Sequence, residues 1–461
     1  MNNNFAEFKS FIKGKKVGVV GIGVSNKPVI SQLVSLGAQV IACDRRSDIG
    51  DEKKELEDLG VKLELGEGYL ESIPDCQVVF RSPSMRPDNP YLEKARERGA
   101  LITSEMEQFL KYCPAKVIGI TGSDGKTTTS TLISEMLKAN GCNTFLGGNI
   151  GNPLLQRIEE IKAEDFVVVE LSSFQLMECH YSPQIAVITN LSPNHLDIHK
   201  DMEEYVNAKK NIFLNQDSNG ITVLNMDNEV TFGMRSEPSG TVRMFSTKND
   251  MAKAYVKEDK MYINDKLVCS IDDVALPGMH NIENLLAAFC AVCDIVSIEA
   301  MREVALNFRG VEHRIEYIRD YKGISFYNDS IASSPTRVIA GLRYFKNERN
   351  KKVILIAGGY DKKIPFNELA SEGLDKIKLL ILIGVTKGKI RQAFEDEMKN
   401  RPEKLPIIDA DSLEDAVIKA IEQGQPGDIV TLSPACAAFD MFKNFEERGR
   451  KFKKIVNSLE D

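Results

Sequence analysis

One stretch limits what this chain can fold into more than any other: Thr121-Gly-Ser-Asp-Gly-Lys-Thr-Thr-Thr129. It follows an apolar run, Lys116-Val-Ile-Gly-Ile, and leads into a helical pattern over 126–140 that Gly141 ends. A strand that passes through glycines into a helix turns backbone N–H groups inward and aims a helix N-terminus at the same point, which suits a phosphate. Gly122, Ser123, Asp124, Gly125 and Thr128 would form the cradle. Lys126 would reach the β- and γ-phosphates, and the Thr127 hydroxyl would bind Mg²⁺. The generic pattern has glycine five positions before Gly125, where this chain has Ile120, but Gly-x-x-Gly-Lys-Thr is kept. The loop predicts nucleotide binding and says nothing of what accepts the phosphate.

The same strand–helix alternation recurs along the chain. Residues 16–21 read as a buried strand, Gly21-Ile-Gly-Val-Ser as a turn, 28–36 as a helix ended by Gly37, and 39–44 as the next strand. A helix over 51–59 and strands over 61–65 and 77–80 follow. A second unit opens near Ala115, with further strands at 166–171 and 184–189. Alternation with turn signals over 242–271 predicts a small antiparallel patch. A helix over 281–296 would close that unit. The third has strands at 353–357, 379–383 and 429–433, and helices at 335–344, 413–423 and 439–458. This pattern predicts an α/β protein of three domains: a Rossmann-like N-terminal domain (1–110), a P-loop-type central ATPase domain (111–310) and a Rossmann-like C-terminal domain (311–461).

Length agrees, since 461 residues make about three domains. A net charge of -8 argues against nucleic acid as a partner. Nine scattered cysteines, an odd number, fit a reducing compartment rather than a disulfide framework. Cys290 and Cys293 fall inside a helical run, where they read as core. A polar N-terminus and the lack of any run of 18 apolar residues predict no signal peptide, no membrane span and a soluble, cytoplasmic protein.

Downstream of the loop, Glu170 ends the strand Phe166-Val-Val-Val-Glu, where a carboxylate is either a Mg²⁺ ligand or an ordinary strand-end charge. His195 follows another apolar strand and is either a metal ligand or a hydrogen-bonding surface residue. Gly21-x-Gly23 with Asp44 at the end of the next strand partly matches a dinucleotide fingerprint, but Asn26 stands at the third glycine position. It could hold a nicotinamide cofactor or a nucleotide-sugar diphosphate, with Arg45 or Arg46 supplying charge, or be a plain turn. The readings these features leave open are an amide-forming ligase, a P-loop ATPase or kinase without amide product, a nicotinamide-dependent oxidoreductase and a non-catalytic nucleotide-binding regulator.

Taken in order, Thr-Gly-Ser-Asp-Gly-Lys-Thr-Thr, Glu-Leu-Ser-Ser-Phe-Gln-Leu, Thr-Asn-Leu-Ser-Pro-Asn-His-Leu-Asp, Tyr-x-x-Ala-Lys, His-Asn-x-x-Asn, His-Arg, Asn-Asp-Ser and Leu-Ser-Pro-Ala-Cys-Ala resemble the Mur ligase family over essentially the whole chain. Glu170–Leu176 and Leu432–Phe445 are similar to the branch that adds D-glutamate. The resemblance implies an ATP-dependent ligase of peptidoglycan synthesis whose partners are UDP-N-acetylmuramoyl-L-alanine and D-glutamate, joined through an acyl phosphate. It implies catalytic roles for Lys126, His195, Lys209 and Asn149, and two Mg²⁺ ions held by Thr127, Glu170, His195 and Lys209. Lys209, with Lys210 next to it, matches the lysine that the family carbamylates. Asn281, Asn284, Arg314 and Asp329 match ATP-holding positions. Ser25, Asp44, Arg46 and Asn149 match the UDP-sugar site, and Lys362, Ser333 and Phe445 the D-glutamate site. Three positions depart from the pattern: Ile331 stands for Lys, Ala438 for Ser, and Ser333 for Thr. A monomer is expected.

Overall fold

A computed structural model describes residues 5–23, 26–50, 52–149, 153–193, 198–276, 278–349, 352–361, 364–399, 401–402 and 404–460. The chain divides into two units, Met1–Phe308 and Arg309–Asp461.

The first unit begins with α1 (Phe5–Ile12), β1 (Lys16–Val20), α2 (Asn26–Ser35), β2 (Gln39–Asp44), α3 (Glu52–Asp58), β3 (Lys62–Leu65), β4 (Val78–Phe80), α4 (Pro90–Glu97), β5 (Leu101–Thr103) and α5 (Glu105–Tyr112). The strands pair in parallel in the order β3-β2-β1-β4-β5. The direction of winding reverses between β1 and β4, so their C-terminal ends splay the covering connections apart and open a crevice there. The Gly21 turn lies at that crevice.

The same unit continues with β6 (Lys116–Thr121), α6 (Lys126–Ala139), β7 (Thr144–Gly148), β8 (Phe166–Glu170), α7 (Ser173–Leu176), β9 (Ile185–Ile188), α8 (Met202–Leu214), β10 (Ile221–Asn225), α9 (Glu229–Gly233), β11 (Thr241–Ser246), β12 (Ala254–Lys257), β13 (Lys260–Ile263), β14 (Lys266–Ser270), α10 (Met279–Val292) and α11 (Ile298–Asn307). These strands form one sheet, β14-β13-β12-β11-β10-β9-β6-β8-β7. β6, the strand of the phosphate loop, is buried at every residue after its first, with α6 and α8 packed against it. The antiparallel patch expected over 242–271 is smaller than that. β11 pairs in parallel with β10, and only β12 to β14 run antiparallel, as an extension of the main sheet. Their hairpins turn at Glu258-Asp259 and Asn264-Asp265, all four with positive φ, the geometry that matches strand twist in two-residue turns. The closing helix stops at Val292 instead of 296, and a further helix, α11, packs on α6 and β14. The two sheets share a core running from Phe8 and Phe80 through Phe109 to Leu171, Leu176 and Phe213.

The second unit contains β15 (Glu316–Tyr321), β16 (Ile324–Asn328), α12 (Pro335–Arg349), β17 (Val353–Gly358), α13 (Asn367–Gly373), β18 (Ile377–Ile383), α14 (Lys387–Lys399), β19 (Ile407–Asp409), α15 (Leu413–Gln423), β20 (Ile429–Leu432) and α16 (Phe445–Asn457). Its sheet order is β15-β16-β20-β17-β18-β19, parallel except for the β15–β16 hairpin. The last helix begins at Phe445 and not at 439, because the Asn444 side chain caps it by accepting from the Glu447 N–H.

All nine cysteines are free, and six are buried. Burial pushes the thiols of Cys76, Cys113, Cys269 and Cys436 up to about 11 and that of Cys179 to about 12. No helix among the described residues is long and apolar enough to cross a membrane.

Candidate active site

The phosphate loop leaves β6 between the ends of β8 and β9, and residues from both strands shape it. The Ser123 N–H bonds Asn190 O at 2.9 Å and the Asp124 N–H bonds Asn190 Oδ1 at 3.0 Å, while the Thr189 hydroxyl donates to Asp124 O at 2.6 Å. Gly125 sits at the N-cap of α6 with φ 79° and no capping side chain. A Cβ there would come within 2.2 Å of Asn284 Oδ1, so only glycine fits. The loop therefore closes on α10, where Asn284 accepts from the Thr129 hydroxyl at 3.2 Å and donates to Asn281 Oδ1 at 3.3 Å. Lys126 Nζ lies over the loop, donating to Gly122 O at 2.9 Å and Ser123 O at 2.8 Å.

Glu170 is 2% exposed at the end of β8. Its Oε2 accepts from the Thr127 hydroxyl at 2.7 Å and its Oε1 from Asn149 Nδ2 at 2.8 Å; the Asn149 N–H also bonds Glu170 O. A buried carboxylate against a hydroxyl at the head of the helix is a hard oxygen pair that fits Mg²⁺, whose remaining positions go to phosphate and water. Among the described residues, no group of three or more His, Cys, Asp and Glu side chains gathers into a metal cage.

Lys209 lies under the loop, 1% exposed, with Nζ 3.0 Å from Thr121 Oγ1 and 2.9 Å from Gly122 O. Burial, then the nearby Lys126 charge, drives its pKa well below the ordinary lysine value against the pull of Glu170. Lys210 turns outward to pair with Glu237 at 2.8 Å, so of the two neighbours it is Lys209 that faces the site. Sequence reasoning gave Tyr205 no role. It is buried, its ring lies 4.9 Å from Lys209 Nζ, and its hydroxyl is 2.9 Å from Ser123 Oγ. The signal was its place four residues before Lys209 on the same helical face.

In the amino-terminal sheet, Asp44 Oδ2 accepts the Ile22 N–H at 2.8 Å, and Arg46 clamps both carboxylate oxygens and Ile22 O. Burial works to raise the Asp44 pKa, but the Arg46 and Ile22 bonds outweigh it and hold the carboxyl below its usual range. Asn26, buried where a third glycine was expected, donates to Val20 O at 2.9 Å and Gly21 O at 3.1 Å and so ties the turn to α2.

In the second unit, Asp329 follows β16. Its Oδ1 accepts the Ile315 N–H, next to Arg314, at 3.2 Å, and its Oδ2 accepts the Ser433 hydroxyl at 2.7 Å. Burial raises its pKa to about 7. The Phe445 ring stands edge-on to His313 at 6.0 Å, and Phe445 O accepts from the Ser330 hydroxyl at 2.8 Å. The Ser333 N–H bonds Ile331 O at 2.8 Å, and Ala438 is 2% exposed. Arg448, buried and also missed, donates to Ser330 Oγ and to the carbonyls of Ser330, Cys436 and Ala437. Ser25, His195 and Lys362 lie outside the described residues. The first unit thus gathers Lys126, Thr127, Asn149, Glu170, Lys209, Asn281 and Asn284 around the phosphate loop. Asp44 and Arg46 lie at the other sheet, and Asp329 and Phe445 flank one sheet end of the second unit.

A glycine loop held from three sides, with a lysine above it, a second beneath it and a carboxylate beside it, defines a P-loop α/β enzyme that acts on ATP. The chain belongs to the Mur ligase family, whose members use ATP. It matches the Mur ligase middle domain over residues 120–292, the Mur ligase glutamate ligase domain over 313–436 and the MurD N-terminal domain over 16–90. It is similar to UDP-N-acetylmuramoylalanine–D-glutamate ligases of Clostridium kluyveri, at 56% identity, and Clostridium novyi, at 57%, each over 100% of both chains. Solved structures share the fold. UDP-N-acetylmuramate-alanine ligase from Thermotoga maritima has a TM-score of 0.55 at 19% identity, covering 96% of this chain and 99% of that one. MurF from Acinetobacter baumannii has a TM-score of 0.55 at 16% identity, covering 97% and 92%.

Proposed function

We propose that this chain joins D-glutamate to UDP-N-acetylmuramoyl-L-alanine at the expense of ATP, in peptidoglycan precursor synthesis. The observation that carries this is full-length identity of 56–58% to ligases of that name. The phosphate-loop cluster supplies the chemistry. We assign the sugar nucleotide to residues 1–110, through Ser25, Asp44 and Arg46, with Asn149 contributed by the central domain, ATP to 111–310, and D-glutamate to 311–461, through Lys362, Ser333 and Phe445. The enzyme would act as a cytoplasmic monomer.

The carboxylate of the alanyl group attacks the γ-phosphorus, ADP leaves, and an acyl phosphate forms. The D-glutamate amine then adds to that carbonyl, loses a proton, and expels inorganic phosphate. Both steps crowd anions, so the main task is neutralisation and alignment. Lys126 turns from the loop carbonyls to the phosphates, the N-terminus of α6 adds its partial charge, and Asn149 holds its amide beside the reacting carboxylate. Asn281, Asn284, Arg314 and Asp329 hold the nucleotide. Thr127 and Glu170 would hold one Mg²⁺, and His195 and Lys209 a second. Bound there, the ions would offset triphosphate charge and polarise the phosphoryl oxygens. Lys209 is suited to the second site because burial favours its neutral amine. That amine can add to CO₂ through a new N–C bond and release a proton to leave an anionic carbamate.

Phosphate release measured with ATP, Mg²⁺ and UDP-N-acetylmuramoyl-L-alanine tests the assignment. Release that requires D-glutamate and not L-glutamate, with an amide product by mass, is the expected result. Release without any amino acid would sink it in favour of an ATPase.

A further inference from the structure

We propose that Arg86 is a positioning residue for the ligation, coupling the amino-terminal sheet to the floor of the phosphate loop; this rests on the activity proposed above. Arg86 lies in the loop after β4, and its guanidinium is engaged on every side. Nε and Nη2 hold Asp88 at 3.0 and 2.9 Å, Nη1 and Nη2 hold Glu204 at 3.1 and 2.8 Å, and Nη1 donates to Ile198 O at 2.8 Å. Lys200 Nζ closes the ring to Asp88 at 3.1 Å. An isolated surface ion pair does little, but a bidentate arginine shared by two carboxylates and a carbonyl fixes geometry.

What it fixes is the head of α8. Glu204 is in the first turn of that helix, accepts the Lys200 N–H at 2.8 Å, and sits one residue before Tyr205. Tyr205 and Lys209 then reach Ser123, Thr121 and Gly122 from below. A helix is stiff over this distance, so the placement of Lys209 follows the placement of its first turn. The same loop also carries Arg81, 5% exposed, which donates to Phe174 O at 3.3 Å and to Met177 O, in the segment that follows Glu170. Its other side lies against the sugar-nucleotide turn, where a Cβ on Gly21 would meet Ser82 at 3.0 Å. One loop thus touches the Gly21 turn and both segments that carry the site from β8 and β9.

Arg86→Met, Glu204→Gln, the double variant and Arg86→Lys in the full chain test this. Arg86→Met should lower kcat roughly tenfold or more and raise KM for ATP, because small misplacements of aligned groups cost that much, while KM for D-glutamate stays unchanged. The double variant should be no worse than Arg86→Met alone, and Arg86→Lys should recover little, lacking the fork. Hydrogen–deuterium exchange of the amides of 202–209 should quicken in Arg86→Met. Unchanged kinetics with unchanged exchange would overturn the proposal. So would a kcat loss with all KM values intact and a matching loss of folded protein, the mark of a merely structural residue. A wild-type chain without glutamate-dependent turnover would count against the proposed activity, and the exchange measurement would still decide the role of Arg86.

Discussion

Glu105 opens α5, where the chain passes from the amino-terminal sheet to the central one, and its carboxylate is buried. Oε1 accepts the N–H groups of Leu154 and Leu155 at 3.1 and 2.9 Å. Burial lifts its pKa from 4.5 to about 7, and the two amide bonds only partly oppose this. The folded state therefore holds this proton more tightly than the unfolded chain. Its stabilising effect is complete below pH 4.5 and is lost as pH rises to about 7. At about 1.4 kcal/mol per pH unit, ionising the group in place costs ~3 kcal/mol. Glutamine stays neutral and keeps an oxygen for both amides, as the protonated acid does. Glu105→Gln should thus leave stability near wild type at pH 5 and raise it by ~3 kcal/mol at pH 8. The chain has no tryptophan, so urea unfolding is best followed by far-ultraviolet circular dichroism. A variant whose difference from wild type is the same at pH 5 and pH 8, or which is less stable at pH 8, would refute the reasoning.

Gly125→Ala should abolish ATP binding by calorimetry while the chain stays folded, because the new methyl would drive against Asn284 Oδ1 at a backbone φ of 79°. Arg448→Met should destabilise the second unit by ~3 kcal/mol in urea, since the carbonyls of Cys436 and Ala437 lose their buried donor. Protein prepared in CO₂-stripped buffer should turn over slowly and recover on adding bicarbonate, with Lys209→Ala unresponsive; equal rates in both buffers would remove the carbamate from the scheme.

The phosphate loop was legible because its spacing alone sets a strand, a turn and a helix N-terminus, and Glu170 because a charge that ends an apolar strand marks the sheet's C-terminal edge. Elsewhere local pattern was insufficient. β11 alternates as an antiparallel strand would, yet its partner is the parallel β10, and pairing direction is set by the connection and not by the strand itself. The start of α16 turned on a single capping bond from Asn444. Lys209 and Lys210 are identical in sequence and were told apart only by which face of α8 is covered. Arg86 and Arg448 each also bond a partner more than 100 residues away, Glu204 and Ser330, and no local pattern in the sequence signals those contacts.

The burial of the cysteines has a practical consequence. A thiol held at about 11 or 12 is almost wholly protonated at neutral pH and a poor nucleophile toward maleimides. A cysteine placed at an open position such as Met251, 87% exposed, would react far ahead of the six buried native ones. A fluorophore or spin label attached at such a point would then compete chiefly with the half-buried Cys113, Cys142 and Cys293, and those three are the native thiols to replace first.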